Sequence, residues 1–301
     1  MKPVSIQAIV TSLHQYKPDF LKNSLVRQWS MAISIATLLG GIFLSVYTEP
    51  KLADNIHPLP CLIILLLLAP ITHILRIIEF QIHAKLQGKS LSFLEALETI
   101  TLASTTDLLP LPGGILVKIS RLRSLDISWK DSSTMTLLTA FIWLGAAIMC
   151  CGIVILLTYN VFFLALGISL FGILMTITCL YSLISLYKAP LYAFIIFGLK
   201  LMTVLLLGLR LVICFTAFDS TISYTDALIL ATSKPASGLL FFLPTNIGVA
   251  EGMAAGIGHF ILGLNAATTF LATLLNLALG LFTLTIMASI ALLYTRNKDK
   301  S

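Results

Sequence analysis

A chain of 301 residues that is 58% hydrophobic and only 11% charged, with a mean hydropathy of +1.00, is excluded from the soluble globular class and belongs with polytopic helical membrane proteins. Its formal net charge of +6 lies mostly between apolar runs, as topogenic bias requires, so nucleic acid is not an expected partner. The five cysteines, Cys61, Cys150, Cys151, Cys179 and Cys214, fall within apolar runs and show no C-x-x-C spacing, which favours small buried hydrophobes over a disulfide frame or metal site; no cofactor is expected.

In chain order, residues 1–29 carry Lys2, Lys17, Lys22 and Arg27 ahead of the first apolar run, and no small-residue cleavage site closes that run. The first span is therefore expected to be retained. The preceding segment reads either as a basic amphipathic helix on the cytoplasmic surface or as a solvated tail. A helix needs about 20 apolar residues to cross the hydrocarbon. Six runs meet or approach that length: Ser30 to Tyr47, Leu59 to Phe80, Thr134 to Thr158, Val161 to Leu186, Leu191 to Phe218 and Thr268 to Tyr294. The membrane domain is thus placed at residues 30–294, with a tail at 295–301.

Two stretches between these runs are too polar or too interrupted to be ordinary spans: Ser92 to Trp129, and Tyr224 to Gly263. Each is expected to be a re-entrant broken hairpin, hinged at Pro112, Gly113 and Gly114 in the first and at Pro244, Gly248 and Gly252 in the second. Proline removes a helical N–H and clashes with the preceding turn, and broken backbone at membrane depth is tolerated only where protein or a watery cavity surrounds it.

The chain also repeats itself. SFLEAL (Ser92 to Leu97) returns as SYTDAL (Ser223 to Leu228), and LPLPGGILV (Leu109 to Val117) is answered, with a one-residue slip, by FFLPTNIGV (Phe241 to Val249). The apolar runs superpose at the same offset, giving repeats of about 30–159 and 160–294. Basic residues gather before the first run, around the first break (Lys85, Lys89, Lys118, Arg121, Arg123, Lys130), at Lys188, and at Arg296, Lys298 and Lys300, so both termini are expected in the cytoplasm. Three full spans per repeat is an odd number, so the halves must face opposite ways. The expected architecture is an all-α polytopic protein of two inverted repeats, each with three spans and one re-entrant hairpin, in the inner membrane.

The paired breaks carry a family resemblance. LPLPGGILVKISRLRSLDIS before one span, and FFLPTNIGVAEG before the last, resemble the transmembrane region of the lysylphosphatidylglycerol synthase family, the flippase-like domain, over roughly residues 30–294. The L-P-x-x-x-G-V-x-E-G pattern matches at Leu243, Pro244, Gly248, Val249, Glu251 and Gly252; in the first motif Pro112 and Gly114 match, followed by Lys118 and Arg121. An acid that members often carry after that glycine is absent here. The resemblance implies lipid translocation between leaflets for some members.

The chemistry-bearing residues are few. Ionisable groups at the centre of a span cost about 2.5–3.5 kcal/mol on translocon scales, so each needs a partner or a watery neighbourhood. His73, Arg76 and Glu79 lie three apart on the second run, where Arg76 and Glu79 are expected to pair at i, i+3 and anchor the helix end. Lys200 and Arg210 lie on the fifth run, and Lys234, Glu251 and His259 in the second hairpin. Arg210 is a candidate for holding a lipid phosphate bidentately or for locking Glu251. Lys118 and Arg121 either bind headgroup phosphate at the inner mouth or are topogenic only. Glu251, with Arg210 or Lys234 as its cation, is a candidate coupling group or structural lock. Phosphate-loop, zinc-protease and nucleophile-elbow motifs are missing, so no catalytic residue is assigned and no enzyme is expected. Two functions follow from this reading: a transporter of an anionic lipid, glycerophospholipid or polyprenyl-phosphate, or a non-transporting subunit that docks a separate membrane enzyme.

Overall fold

The computed structural model describes residues 38–49, 56–106, 113–159, 161–239 and 248–298, and among these every regular element is a helix. In chain order they are α1 (Leu38–Thr48), α2 (Pro58–Leu86), α3 (Phe93–Thr106), α4 (Gly113–Arg123), α5 (Trp129–Thr158), α6 (Phe162–Tyr187), α7 (Pro190–Thr216), α8 (Tyr224–Ala231), α9 (Ser233–Leu239), α10 (Val249–Phe260) and α11 (Ala266–Lys298). Five are long and apolar enough to cross a membrane: α2, α5, α6, α7 and α11 to Ile290. The chain is a multi-pass membrane protein. Sequence reading expects six spans; the described part of the first is the shorter helix α1, and residues 30–37 lie outside the described residues, as do the N-terminal segment, Asp107, Pro112 and Pro244.

Local chemistry sets the helix ends. Ser128 begins α5 by accepting the Asp131 N–H at 3.1 Å, and Asn265 begins α11 by accepting the Thr268 N–H at 3.1 Å through Oδ1. Pro58 and Pro190 occupy first-turn positions, where a missing N–H costs nothing. The repeated hexapeptides have the same local structure. Ser92 caps α3 with its N–H and hydroxyl on Glu95 Oε2, both at 2.9 Å, and Ser223 caps α8 by accepting the Asp226 N–H at 3.0 Å.

Helix α2 is not uniform. Residues Ile64–Leu68 form a π-turn just ahead of Pro70. In that register the Leu65 carbonyl would take its hydrogen bond from residue 70, which has no N–H. The Thr283 hydroxyl on α11 reaches this carbonyl at 3.3 Å, shared with its own Leu279 carbonyl at 2.9 Å.

Helices α2 and α7 cross each other, and α11 packs against both. Four apolar clusters surround this crossing. One joins Ile64 and Ala69 to Leu211, Phe215 and Leu230, and a second joins Ile77 and Phe80 to Ile100, Leu122 and Leu284. A third joins Ile82 to Met135, Ile142, Leu183 and Ile196, and a fourth joins Ala147 and Val154 to Val204 and Ile229. The arms α3 and α4 of the first hairpin pack on each other, with α3 against α2 and α11; in the second hairpin α8 packs against α7 and α5, and α9 on α10.

Helices α5 and α6 approach closely where Gly145 faces Thr176, Gly152 faces the Ser169 backbone, and Gly172 faces Met149 N and the Gly145 carbonyl. Lipid tails are as apolar as leucine, so small residues that let backbones touch supply dispersion contacts that a hydrophobic effect cannot. Large apolar side chains such as Phe163, Phe171, Leu174, Tyr181 and Leu66 are left on the outside, as a lipid solvent permits.

Candidate functional site

On α2 the polar residues His73, Arg76, Glu79 and His83 recur at helical spacing and so share one face. That face meets Lys200 and Arg210 on α7 and the Asn276–Gly280 turn on α11. The polar contacts form a ladder through the interior of the spans.

At its lower rung, Lys200 Nζ lies 2.7 Å from Glu79 Oε1, and His83 Nε2 approaches the same oxygen at 3.3 Å. Glu79, Lys200 and His83 are 5%, 8% and 2% exposed, so this is a buried ion pair with an imidazole against it. The ammonium also stands 5.5 Å from the centroid of the Trp143 ring on α5, and the His83 ring packs edge-on against Phe80. The charge of Lys118, on α4, reaches both Glu79 and His83.

One turn up α2, Arg76 Nη2 donates to Ser104 Oγ at 3.1 Å, tying α2 to α3. The expected anchor pair of Arg76 with Glu79 is corrected accordingly: the carboxylate turns across to α7, and the guanidinium goes to α3. Above it, His73 Nε2 donates to the Gly280 carbonyl at 2.8 Å and Arg210 Nη2 donates to the Asn276 carbonyl at 2.9 Å. A methyl group built on Gly280 would lie 3.0 Å from Arg210 Nη2, so the absence of a side chain at 280 lets the guanidinium lie against α11. His73 and Arg210 are each 5% exposed, and among the described residues Arg210 has no carboxylate partner. Three buried atoms in this cluster, His73 Nδ1, Arg210 Nε and Asn276 Oδ1, have no hydrogen-bond partner among the described residues.

At the expected inner mouth, Arg121 donates to Glu95 Oε1 at 2.7 Å and so links the two arms of the first hairpin. Burial pushes the Glu95 carboxyl up, but the Ser92 hydrogen bonds and the Arg121 charge outweigh it and hold the group below the usual carboxylate range. Arg121 is therefore paired with a protein carboxylate across the two helices. At the opposite end His57 and Asp219 meet at 2.8 Å. Nearby, Tyr159 donates to Asp226 at 2.7 Å, and its phenol is pushed up to about 12 by burial and by that carboxylate.

The second break is only partly described. Gly248 has φ +80°, a left-handed conformation that a side chain would strain, and it sits against the Leu38 backbone of α1. Its N–H donates to Glu251 Oε2 at 2.7 Å, and the Gly252 N–H reaches the Gly248 carbonyl at 2.8 Å. Glu251, 2% exposed, is the third residue of its helix and reaches back to the amide of the N-cap Gly248, and it forms no ion pair with Lys234 or Arg210. Lys234 lies on α9, where its carbonyl accepts the Ser237 hydroxyl at 2.9 Å. Of the first hinge, Gly113 and Gly114 open α4.

Sequence reading named Glu79 and Lys200 separately but not as partners. It also missed His83, which lies beyond the expected end of the second span, and the polar stripe of α11 (Thr269, Thr273, Asn276, Thr283), whose three- and four-residue spacing was visible in the sequence. Among the described residues no three His, Cys, Asp or Glu side chains group to hold a metal ion. Comparison of the chain with protein-family models, curated proteins and solved structures finds no match.

Proposed function

We propose that this protein is a flippase-like transporter that carries an anionic lipid, a glycerophospholipid or a polyprenyl phosphate, between the leaflets of the inner membrane. The observation that carries this reading is Arg210: a guanidinium deep in a candidate span, beside His73, with no acid against it among the described residues. A buried cation is strongly disfavoured without a compensating anion, and guanidinium is the side chain best shaped to grip a phosphate with two parallel hydrogen bonds. The Arg210 Nε, without a partner among the described residues, supplies donor capacity for such a headgroup. Lys118, at the cytoplasmic side of the ladder, would meet the same phosphate on entry.

The packing supports the inverted-repeat plan of secondary transporters. Exchanging the halves (α1 to α5 with α6 to α11) maps the contacts onto one another: α2 with α3 onto α7 with α8, α3 on α11 onto α8 on α5, and the α5–α6 pair onto Gly41 of α1 against Phe270 of α11. Helices α2 and α7 are counterparts, with the headgroup site at their crossing. The same plan underlies the resemblance to the lysylphosphatidylglycerol synthase transmembrane region. Both termini are assigned to the cytoplasm on the distribution of Lys and Arg, and the protein acts as a transporter rather than an enzyme.

The test is a leaflet-resolved assay in proteoliposomes with fluorescent phosphatidylglycerol and an impermeant quencher. The wild-type protein is expected to expose the probe faster than protein-free vesicles, and Arg210→Gln to slow it at least tenfold while Arg210→Lys retains part of the rate. Wild-type vesicles no faster than empty ones would overturn the reading in favour of a docking subunit.

A further inference from the structure

Glu79 is the one carboxylate lying beyond the first turn of any of the five candidate spans. The coupling role that the sequence suggests for Glu251 has no geometric support, because that carboxylate is spent on the amide of its own helix start. Glu79 instead ties together α2 and α7, the two helices whose crossing holds Arg210, and its partner Lys200 lies ten residues before Arg210 on α7, roughly 15 Å at 1.5 Å per residue.

We infer that Glu79, with His83 and Lys200, is a proton-binding site that exchanges Lys200 between the carboxylate and the phosphate of the transported lipid. This rests on the transport reading above and supplies its coupling ion.

Three features distinguish the cluster from a simple lock. A lock needs one base, whereas Glu79 Oε1 is approached by two, the ammonium at 2.7 Å and the imidazole at 3.3 Å. The imidazole lies one turn closer to the end of α2, and neither ring nitrogen makes a hydrogen bond among the described residues, so its unprotonated nitrogen is open to take up a proton while Nε2 stands 3.3 Å from the carboxylate. Lys200 also has a second place to rest its charge, against the Trp143 ring, when the carboxylate is neutral.

The charged groups facing Glu79 are Lys200 from α7, His83 from its own helix and Lys118 from α4. On α3, Glu95 is held by Arg121, and Arg76 of α2 is turned to Ser104. The span of α11 contributes no ionisable side chain between Ala266 and Ile290.

The step balances as follows. One proton passes through His83 to the Glu79 carboxylate, the Glu79–Lys200 ion pair breaks, and Lys200 keeps its own proton. The cluster gains one positive charge, which the incoming phosphate neutralises, so headgroup and proton enter a dry site together without net charge. Loss of the proton restores the ion pair and releases the phosphate.

Two measurements test this. In proteoliposomes with fluorescent phosphatidylglycerol, one proton per lipid predicts that a one-unit pH gradient changes the initial rate by up to about tenfold, since one unit corresponds to about 1.36 kcal/mol. Glu79→Gln, fixed in the neutral form, should lose that response whatever its absolute rate, whereas Lys200→Arg should keep it. Independently of transport, the infrared difference spectrum of the purified full chain between acidic and neutral pH should contain a protonated-carboxyl band that is missing from Glu79→Gln. If that variant does not fold, Glu79→Gln/Lys200→Met, with both charges removed, takes its place. Wild-type transport that ignores the gradient overturns the proton site and leaves the transport reading intact. Absence of transport overturns the transport reading; the infrared band then decides the proton site alone, its presence in wild type and loss from the variant supporting it and any other result overturning it.

Discussion

Replacing Lys200 with Met keeps the length and apolar stem of the side chain but strands the Glu79 carboxylate in a site where it is 5% exposed. At 2.7 Å and an effective dielectric near 20, the lost attraction is roughly 6 kcal/mol before the desolvation of the ammonium, now relieved, is subtracted. Breaking a buried pair from one side costs about 3–5 kcal/mol, and His83, still 3.3 Å from the carboxylate, moves the expectation to the lower end, about 3 kcal/mol. Removing both charges together as Glu79→Gln/Lys200→Met should recover most of this loss, because no uncompensated charge is left behind. The assay is reversible unfolding of the purified protein in mixed micelles, read as a double-mutant cycle. A Lys200→Met variant that loses under 1 kcal/mol, or a double variant that loses the sum of the singles, would refute the buried-pair argument.

Two further outcomes follow from other parts of the chain. Gly172→Leu drives a side chain into the Met149 backbone and the Gly145 carbonyl, where nothing flexible can yield, and should lower stability by about 2 kcal/mol or more in thermal unfolding, whereas Gly167→Leu on the same helix, with open space around it, should change it by less than about 0.5 kcal/mol. Glu95 sits below its ordinary range in the folded protein, so its contribution is present above the unfolded carboxylate value of about 4.3 and fades as the pH falls below it; the pair with Arg121 is partly exposed and is worth no more than about 1 kcal/mol. The difference in melting temperature between wild type and Glu95→Gln should therefore be largest near neutrality and close as the pH falls below 4.

What the sequence made legible was what local chemistry decides. The long apolar runs had no folded alternative to membrane helices, and Ser92 and Ser223, three residues before Glu95 and Asp226, mark caps that both form. Glu251 was legible in the same way, since an acid three residues after Gly248 at a helix start reaches back to that amide. Partners across helices were hidden. Whether Glu79 turns to Arg76 on its own helix or to Lys200 on another depends on the rotation and depth of α2 against α7, and those are set by how Ile77, Phe80, Ile82 and Ile196 fill the space between helices. Apolar spacing carries no record of that choice.

The π-turn of α2 sets the phase of the whole ladder. A helix advances about 100° per residue, so the extra residue between Ile64 and Leu68 turns everything after it by that angle relative to everything before it. In that phase His73 meets α11, Glu79 meets α7 and Arg76 reaches α3. Shortening the stretch by one residue would move each later side chain into its predecessor's position, so that Glu79 would take the place of Ile78, which is 36% exposed, and leave Lys200. The Thr283 hydroxyl on the Leu65 carbonyl holds that phase offset from the neighbouring helix.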